Sequence, residues 1–171
     1  ADKAYLDVLT DKLVEKAVLI YRERFKYLSL INSYISDIYN NITEDKRLLK
    51  IEYSPNISIS SYEEEELRNV LINTYKKNYR RELSAGMTLF GPHRDDFSFI
   101  MDNNIDMKIY ASEGQQKCAV LAYKLASIPI FKENNGTNPV LLLDDIFSEL
   151  DLTKRNKLLK YVSRDIQSII T

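Results

Sequence analysis

Apolar residues recur every three or four positions along the first quarter of the chain, which is the spacing of one face of an α-helix. The pattern runs from Leu6 to Ile20 and again from Leu28 to Ile42, where it approaches a heptad seam. No glycine or proline occurs before Pro55, so nothing in this stretch forces a helix to end. The pattern predicts one long helix, with at most one break, over residues 3–42.

A short strand and a second helix are predicted next. The segment "LLKIEYSPN" (48–56) alternates briefly and stops at its proline, as a short strand does. The second helix begins near Ser61, which has capping-box spacing to Glu64, and Gly86 is placed to end it. Residues 1–85 are therefore predicted to form a helical arm.

The pattern changes after residue 86. "FSFIMDNNIDMKIY" (97–110) predicts two short strands around the turn Asp102–Asn104, and a helix follows from residue 112. "VLLLDD" (140–145) and "QSIIT" (167–171) are apolar strands separated by the helix "DLTKRNKLLKYV" (151–162). Helices that alternate with wholly apolar strands indicate a parallel sheet covered on both faces. Residues 86–171 are therefore predicted to form a second, α/β domain.

Composition limits the classes of function. The chain has 171 residues, 44% hydrophobic and 29% charged, with a net charge of -1, so nucleic acid could be bound only by a local patch. Cys118 is the only cysteine, which excludes an internal disulfide and suits a cytoplasmic protein. No apolar run is long enough for a membrane span. The first residue is Ala1 and a helical pattern starts at once, which indicates a piece of a longer protein.

Two acids follow the apolar strand that ends at Leu143. A buried parallel strand presents a terminal carboxylate at the sheet edge where α/β proteins bind ligands. Asp144 could then support Mg²⁺ through its water shell, and Asp145 could orient or deprotonate an attacking water. The alternative is that both acids merely start a loop. Ser148 and Asp151 follow closely and could be caps of the next helix.

The helix start at "SEGQQK" (112–117) has two interpretations. Ser112 and Gln115 have capping-box spacing, which explains the start by ordinary capping. Capping does not explain Gly114, because glycine in a helix costs about 1 kcal/mol relative to alanine. Free N–H groups, the helix dipole and a serine hydroxyl together suit a phosphate, which a glycine would allow to approach closely.

Four basic residues crowd the C-terminal turns of the second helix. Favourable interaction with the helix dipole on a solvated face is one explanation, and a patch that contacts DNA phosphates is the other. The residues are Lys76, Lys77, Arg80 and Arg81.

Three of these motifs follow one another along the chain: the helix start at 112–117, the apolar strand that ends in Asp144 and Asp145, and the segment from Ser148 to Asp151. In that order they resemble the signature motif, the Walker B strand and the D-loop of an ABC-type ATPase. More narrowly, "GPHRDD", "SEGQQK", "LLLDDIFSELD" and "QSIIT" resemble the RecF family, and "RERFKYL" and "LLKIEY" extend the resemblance over essentially the whole chain. The resemblance implies a helical arm (1–85) joined to the C-terminal half of an ATPase head (86–171) with a mainly parallel sheet. The implied nucleotide-contacting residues are Ser112, Gly114, Gln115, Gln116, Lys117, Ser148 and Asp151.

The resemblance also implies a function. ATP with Mg²⁺ is shared between the Walker motifs of one subunit and the signature motif of the other, so that a homodimer closes on DNA and slow hydrolysis opens it. Asp144 organises the Mg²⁺ and Asp145 acts in hydrolysis. The implied DNA is single-stranded, or duplex with gaps and junctions, and RecR and RecO are implied partners in loading RecA.

Three departures and two alternative functions accompany the resemblance. Glu113 stands where the family usually has glutamine, and Lys117 stands where it usually has arginine. No Walker A motif G-x-x-x-x-G-K-[ST] occurs in this chain, which is expected to be inactive alone. A non-catalytic arm that binds DNA or a partner is one alternative, and an SMC-type ATPase, whose arms are far longer, is the other. Arg94 is expected to pair with an acid, whereas a metal site of His93, Asp95 and Asp96 is disfavoured.

Overall fold

The structure, a computed structural model, describes residues 3–102, 104–144, 150–162 and 166–170. The chain is α/β, as predicted. In chain order its described elements are α1 (Lys3–Thr43), β1 (Leu49–Ser54), α2 (Glu64–Ala85), β2 (Asp96–Met101), β3 (Ile105–Asp106), α3 (Met107–Tyr110), α4 (Glu113–Asn135), β4 (Leu141–Leu143), α5 (Leu152–Val162) and β5 (Ser168–Ile170). None of the described helices is both long enough and apolar enough to cross a membrane.

The chain divides into two compact units. One consists of Ala1–Leu28 and Tyr53–Phe97, and the second consists of Ser29–Glu52 and Ser98–Thr171. Helix α1 is unbroken over its 41 residues, as the absence of glycine and proline predicts, and it contributes to both units. The predicted division into arm and head near residue 86 stays a prediction.

The first unit has a core formed by α1 and α2. Its buried residues are Val14, Ala17, Val18, Tyr21, Ile57, Leu67, Leu71 and Tyr75. Leu9 and Ile20 belong to the apolar pattern of α1 but are exposed. The buried face of α1 is therefore narrower than its apolar pattern.

Helix α2 begins later than the sequence predicts. Its first residue is Glu64, its N-cap is Glu63, and the Ser61 hydroxyl accepts a hydrogen bond from the Glu63 N–H at 3.1 Å. The predicted capping box between Ser61 and Glu64 is therefore wrong, because the serine closes a local turn ahead of the helix. The predicted end is confirmed, since Gly86 takes the left-handed conformation with φ of 63°.

In the second unit, side chains of α1 cover one edge of β1. Asn32 donates to the Ile51 carbonyl at 2.9 Å and accepts from the Ile51 N–H at 2.7 Å. One helical turn later, the Ser36 hydroxyl accepts from the Leu49 N–H at 3.1 Å. An amide and a hydroxyl therefore act in place of a neighbouring strand, which satisfies edge groups that would otherwise need one. The opposite edge of β1 lies beside β2, in a sheet of order β1-β2-β3.

The predicted hairpin is present as β2 and β3. The strands are antiparallel, with Met101 opposite Ile105. Asp102, in the turn, has φ of 49° and bonds Arg47 at 2.5 Å. The prediction fails just beyond, since Met107–Tyr110 forms α3 instead of continuing the strand. Asp106 caps this turn by accepting from the Lys108 N–H at 2.8 Å, a local bond that competes with strand pairing.

Strands β4 and β5 form the predicted parallel pair. Leu142 lies opposite Ile169, and Leu143 lies opposite Ile170. Leu143 is buried, whereas the side chains of Leu142 and Ile169 are 66% and 51% exposed. Within the described residues one face of this pair is covered, and coverage of both faces stays a prediction.

Candidate nucleotide-binding site

Helix α4 begins with a complete capping box, as the sequence predicts. The Ser112 hydroxyl accepts a hydrogen bond from the Gln115 N–H at 3.3 Å, and Gln115 Oε1 accepts from the Ser112 N–H at 3.0 Å. Two of the donors at this helix start are thereby satisfied, and the turn is held in a fixed conformation. The first-turn residues between them are Glu113 and Gly114.

Gly114 is not required by anything inside the described chain. It lies in regular helix, its φ is not among the positive values, and a Cβ built on it would meet no atom of the described residues within 4 Å. Among these residues, neither backbone conformation nor packing accounts for a glycine here. The glycine leaves the backbone of this turn open to the approach of another group.

The next two predicted ligands bond to residues of the same turn. Gln116 Nε2 donates to the Ala111 carbonyl at 3.1 Å. Lys117 Nζ lies 2.8 Å from Glu113 Oε1, and the lysine holds the pKa of that carboxyl below its usual value. The charged groups of this turn are thus one lysine and one glutamate, one turn of helix apart. The five residues predicted on α4 are Ser112, Gly114, Gln115, Gln116 and Lys117, and the structure brings them together on its first two turns.

Asp144 follows the last residue of β4 and is exposed, at the carboxyl end of the parallel pair. This is the sheet edge at which the sequence predicts a Mg²⁺-supporting acid. Asp145 and Ser148 lie outside the described residues, so their predicted roles have no geometry here. In the described part of the chain, no group of three or more His, Cys, Asp or Glu side chains could hold a metal ion.

Asp151 caps α5. Its carboxylate accepts from the Lys154 N–H at 2.9 Å and pairs with Lys154 Nζ at 2.8 Å, and the lysine lowers the pKa of this carboxyl. Burial raises the pKa of the Cys118 thiol, and the charges of Lys154 and Asp151 also act on it. The start of α5 therefore lies close enough to the second turn of α4 for electrostatic coupling.

Two large apolar side chains precede this site. Ile109 and Tyr110, at the end of α3, are 68% and 75% exposed. Only Ala111 separates them from Ser112. Exposed apolar side chains beside a site are typical of a surface that a partner covers.

The "GPHRDD" segment (91–96) is fixed by a buried carboxylate in the first unit. Asp95, whose side chain is 1% exposed, accepts from Arg24 at 3.1 Å, from the Asn56 N–H at 2.8 Å and from the Tyr53 hydroxyl. Arg24 also donates to the Pro92 carbonyl at 2.5 Å. These bonds hold the 3₁₀ turn Pro92–Arg94 against α1 and the end of β1.

Arg24, and not Arg94, is the arginine that pairs with an acid in this segment. Arg94 was expected to pair with an acid, but its guanidinium contacts Met87 Sδ at 3.2 Å, and it is Arg24 that pairs with Asp95. His93 Nε2 lies 3.1 Å from the Thr88 carbonyl oxygen, so His93 and Asp95 have separate protein partners. Arg24 was missed because 71 residues separate it from Asp95, and no local pattern links them.

The basic cluster of α2, defined as Lys76, Lys77, Arg80 and Arg81, lies on exposed positions. The buried residues of the helix, Leu67, Leu71 and Tyr75, occupy the opposite face. The helix runs to Ala85 and has no basic residue in its last turn, where a dipole interaction would be strongest. Among the described residues, no acid pairs with any of the four side chains. The four side chains are therefore solvated, and their contact with DNA phosphates stays a prediction.

A capped glycine-containing helix start and a parallel strand that ends in an acid define the C-terminal part of an ABC-type ATPase fold. Two solved structures have this fold. One is described as the recombination mediator protein RecF-ATPrS in the RecFOR pathway and matches with a TM-score of 0.86 and 33% identity, over 100% of this chain and 45% of that one. The other, described as RecF-ATP in the same pathway, has a TM-score of 0.85 and 33% identity, over 99% of this chain and 46% of that one.

The chain is also similar to curated proteins named RecF. The DNA replication and repair protein RecF of Halalkalibacterium halodurans is 40% identical over 167 residues, which are 97% of this chain and 45% of the relative. RecF of Lactobacillus acidophilus is 39% identical over 173 residues, 99% of this chain and 46% of the relative. No protein-family model matches the chain. The chain matches the C-terminal half of RecF proteins and spans about half the length of the curated relatives it matches.

Proposed function

We propose that this chain is the arm and the signature-bearing half of an ATP-dependent DNA replication and repair protein. The observation that carries the proposal is the start of α4, where Ser112 fixes the turn and Gly114 leaves its backbone open. A phosphate meets free N–H groups and the positive end of the helix dipole there. ATP bound mainly by a second subunit presents its γ-phosphate to this turn, so that nucleotide closes a homodimer.

The exposed residues beside the turn support a dimer. Ile109 and Tyr110 are apolar and exposed directly ahead of Ser112, where a second subunit that supplies the nucleotide would cover them. The matched RecF structures are described with ATP and with ATPrS, which supports nucleotide binding in this family. The dimer buries this apolar surface when ATP is bound.

The acids after β4 are proposed to serve hydrolysis. An exposed carboxylate at the end of a parallel strand suits Mg²⁺, a hard cation that prefers oxygen ligands and retains much of its water shell. Asp144 is proposed to hold that water shell, and Asp145 to accept a proton from the attacking water. Ser148 and Asp151 are proposed to contact nucleotide from the adjoining loop.

The role of Asp145 has a direct kinetic test. In the full-length protein, Asp145→Asn is expected to keep ATP-driven dimerisation, because it leaves the α4 turn intact. It is expected to lower turnover by about 10²- to 10⁴-fold, since the variant lacks a general base. Unchanged phosphate release would remove Asp145 from this role.

The proposed ligand of the assembled protein is DNA with gaps or single-to-double-strand junctions. The basic cluster of α2 offers four exposed cations without an acidic partner in the described chain, as a phosphate contact requires. The matched structures are described as a recombination mediator protein in the RecFOR pathway, which supports RecO and RecR as partners. The loading of RecA is the proposed outcome. The proposed location is the cytoplasm, where that DNA lies.

Substitution of Ser112 tests the nucleotide contact. Aspartate and asparagine both cap helices about as well as serine, so Ser112→Asp and Ser112→Asn should both preserve the fold. Only aspartate places a charge against the γ-phosphate, which costs about 4 kcal/mol per charge pair at roughly 4 Å and an effective dielectric of about 20. In the full-length protein, light scattering should show ATP-driven dimers for Ser112→Asn and none for Ser112→Asp. If both variants dimerise equally well with ATP, Ser112 is only a cap.

A second candidate is a non-catalytic module that binds DNA or a partner. The observation in its favour is that no G-x-x-x-x-G-K-[ST] motif occurs among the 171 residues. We expect the purified chain, with DNA present, to release no phosphate from ATP above buffer in a colorimetric assay. Release that Asp145→Asn abolishes would show that the chain hydrolyses ATP alone.

A further inference from the structure

The first turn of α4 contains an ion pair within the proposed phosphate site. Lys117 Nζ lies 2.8 Å from Glu113 Oε1. Side chains on a helix lean toward its N-terminus, and this pair holds the Lys117 ammonium at the level of Glu113. That turn is the one at which the proposed function places the γ-phosphate.

The two ends of this pair differ in exposure. The Glu113 side chain is 83% exposed, whereas that of Lys117 is 34% exposed. The carboxylate can therefore turn into water while the lysine stays close to the helix. An incoming phosphate needs a cation at the same place, since charge-assisted hydrogen bonds to ammonium are stronger than those to neutral donors.

The neighbouring side chains cannot take over from Lys117. Gln115 carries no charge and its Oε1 accepts from the Ser112 N–H, while Gln116 donates to the Ala111 carbonyl. Among the residues of this turn, 112–117, the only cation is Lys117 and the only anion is Glu113. A phosphate at this turn therefore competes with Glu113 for one ammonium.

We propose that Glu113 is a built-in competitor for Lys117 that raises the ATP concentration at which the protein dimerises. This inference rests on the proposed function, because it concerns the same turn of α4. Ion pairs this exposed shift an equilibrium by about two- to fivefold, so Glu113 tunes nucleotide binding and does not block it.

The experiment measures the ATP concentration for half-maximal dimerisation of the full-length protein by light scattering. Glu113→Gln keeps a side chain of the same shape and is expected to lower that concentration by about two- to fivefold. The matched control is Glu133→Gln, an exposed position near the far end of α4, which should leave the concentration unchanged. In a Lys117→Gln background, Glu113→Gln should no longer lower this ATP concentration, because the competition acts through that lysine.

A second readout needs no nucleotide. In the ATP-free protein, NMR titration should place the pKa of the Glu113 carboxyl below its usual value, and Lys117→Gln should raise it. If wild type and Glu113→Gln dimerise at the same ATP concentration, the role of Glu113 is wrong, while the proposed function stands. A gain that persists without Lys117, or an unmoved Glu113 pKa, would show the same. A wild type that never dimerises with ATP would overturn the proposed function and this inference with it.

Discussion

Tyr39 and Tyr75 are buried phenols with different surroundings. Tyr75 donates to the Phe90 carbonyl at 3.1 Å, whereas the Tyr39 hydroxyl has no hydrogen-bond partner among the described residues. Burial raises the pKa of each to about 12, above the unfolded value of about 10. Both rings therefore stay protonated in the folded protein at a pH that ionises them in the unfolded chain.

The free energy of unfolding is expected to fall between pH 10 and pH 12. The unfolded chain loses the two protons first, so stability is complete below about pH 10 and is lost as the pH rises toward about 12. The loss is on the order of 2 kcal/mol for each ring. Urea denaturation at several alkaline pH values measures it, with tyrosinate absorbance recorded on the folded protein.

Tyr39→Phe is the matched control. It should change stability little at neutral pH, because it removes a buried hydroxyl that has no partner in the described chain. It should also make the fall in the free energy of unfolding between pH 10 and pH 12 smaller, by the amount that one tyrosine contributes. An alkaline loss of the same size in wild type and variant would contradict the assignment.

At the residue scale, local chemistry at α4 could be predicted and distant pairing could not. Ser112 and Gln115 are three positions apart and form the predicted capping box, because both partners belong to one turn. The spacing of Ser61 and Glu64 is the same, yet the Ser61 hydroxyl bonds the Glu63 N–H and the helix begins later. The difference is in the backbone ahead of the helix, which residue spacing does not report.

At the element scale, the turn Pro92–Arg94 depends on one carboxylate. Asp95 accepts from Arg24, from the Tyr53 hydroxyl and from the Asn56 N–H. Asp95→Asn removes the charge and replaces an acceptor by a donor, so it should lower the free energy of unfolding by about 2 kcal/mol or more. Asp96→Asn is the control, since Asp96 is exposed, and it should stay within about 0.5 kcal/mol of wild type. Equal stability of the two variants, measured by urea denaturation, would show that Asp95 does not fix this turn.

The ends of helices and strands could be predicted where one residue has a single dominant backbone preference. Gly86 ends α2 because glycine adopts the left-handed conformation readily. Met107–Tyr110 reads as strand but forms α3, because Asp106 caps a helical turn. The exposed face of β4 and β5 illustrates a further limit, since an apolar run does not state which elements cover it.

At the scale of the whole molecule, charge is distributed unevenly. The net charge is -1, and the basic cluster of α2 still places four cations on one face of one helix. Affinity for DNA through such a patch falls with salt, because each phosphate contact releases about 0.9 counterion.

Neutralising part of the basic cluster tests whether it contacts DNA phosphates. In the full-length protein, Lys77→Gln with Arg81→Gln should reduce the slope of log affinity against log salt by about 1 to 2. Lys124→Gln with Lys132→Gln removes two exposed charges from α4 and should leave the slope unchanged. Fluorescence anisotropy on gapped duplex DNA gives both slopes. Equal slopes for the two double variants would place the DNA elsewhere.

In the proposed function, the start of α4 is open because a nucleotide phosphate approaches it. Gly114→Ala tests this directly, because the phosphate contact and the stability of the helix predict opposite effects of an added methyl group. Alanine is a better helix former, and its Cβ would meet no atom of the described residues within 4 Å, so the variant should gain up to about 1 kcal/mol of stability. Its methyl group would occupy the space of the phosphate, so light scattering on the full-length variant should show little or no dimer with ATP. A Gly114→Ala protein that dimerises with ATP as readily as wild type would contradict the account.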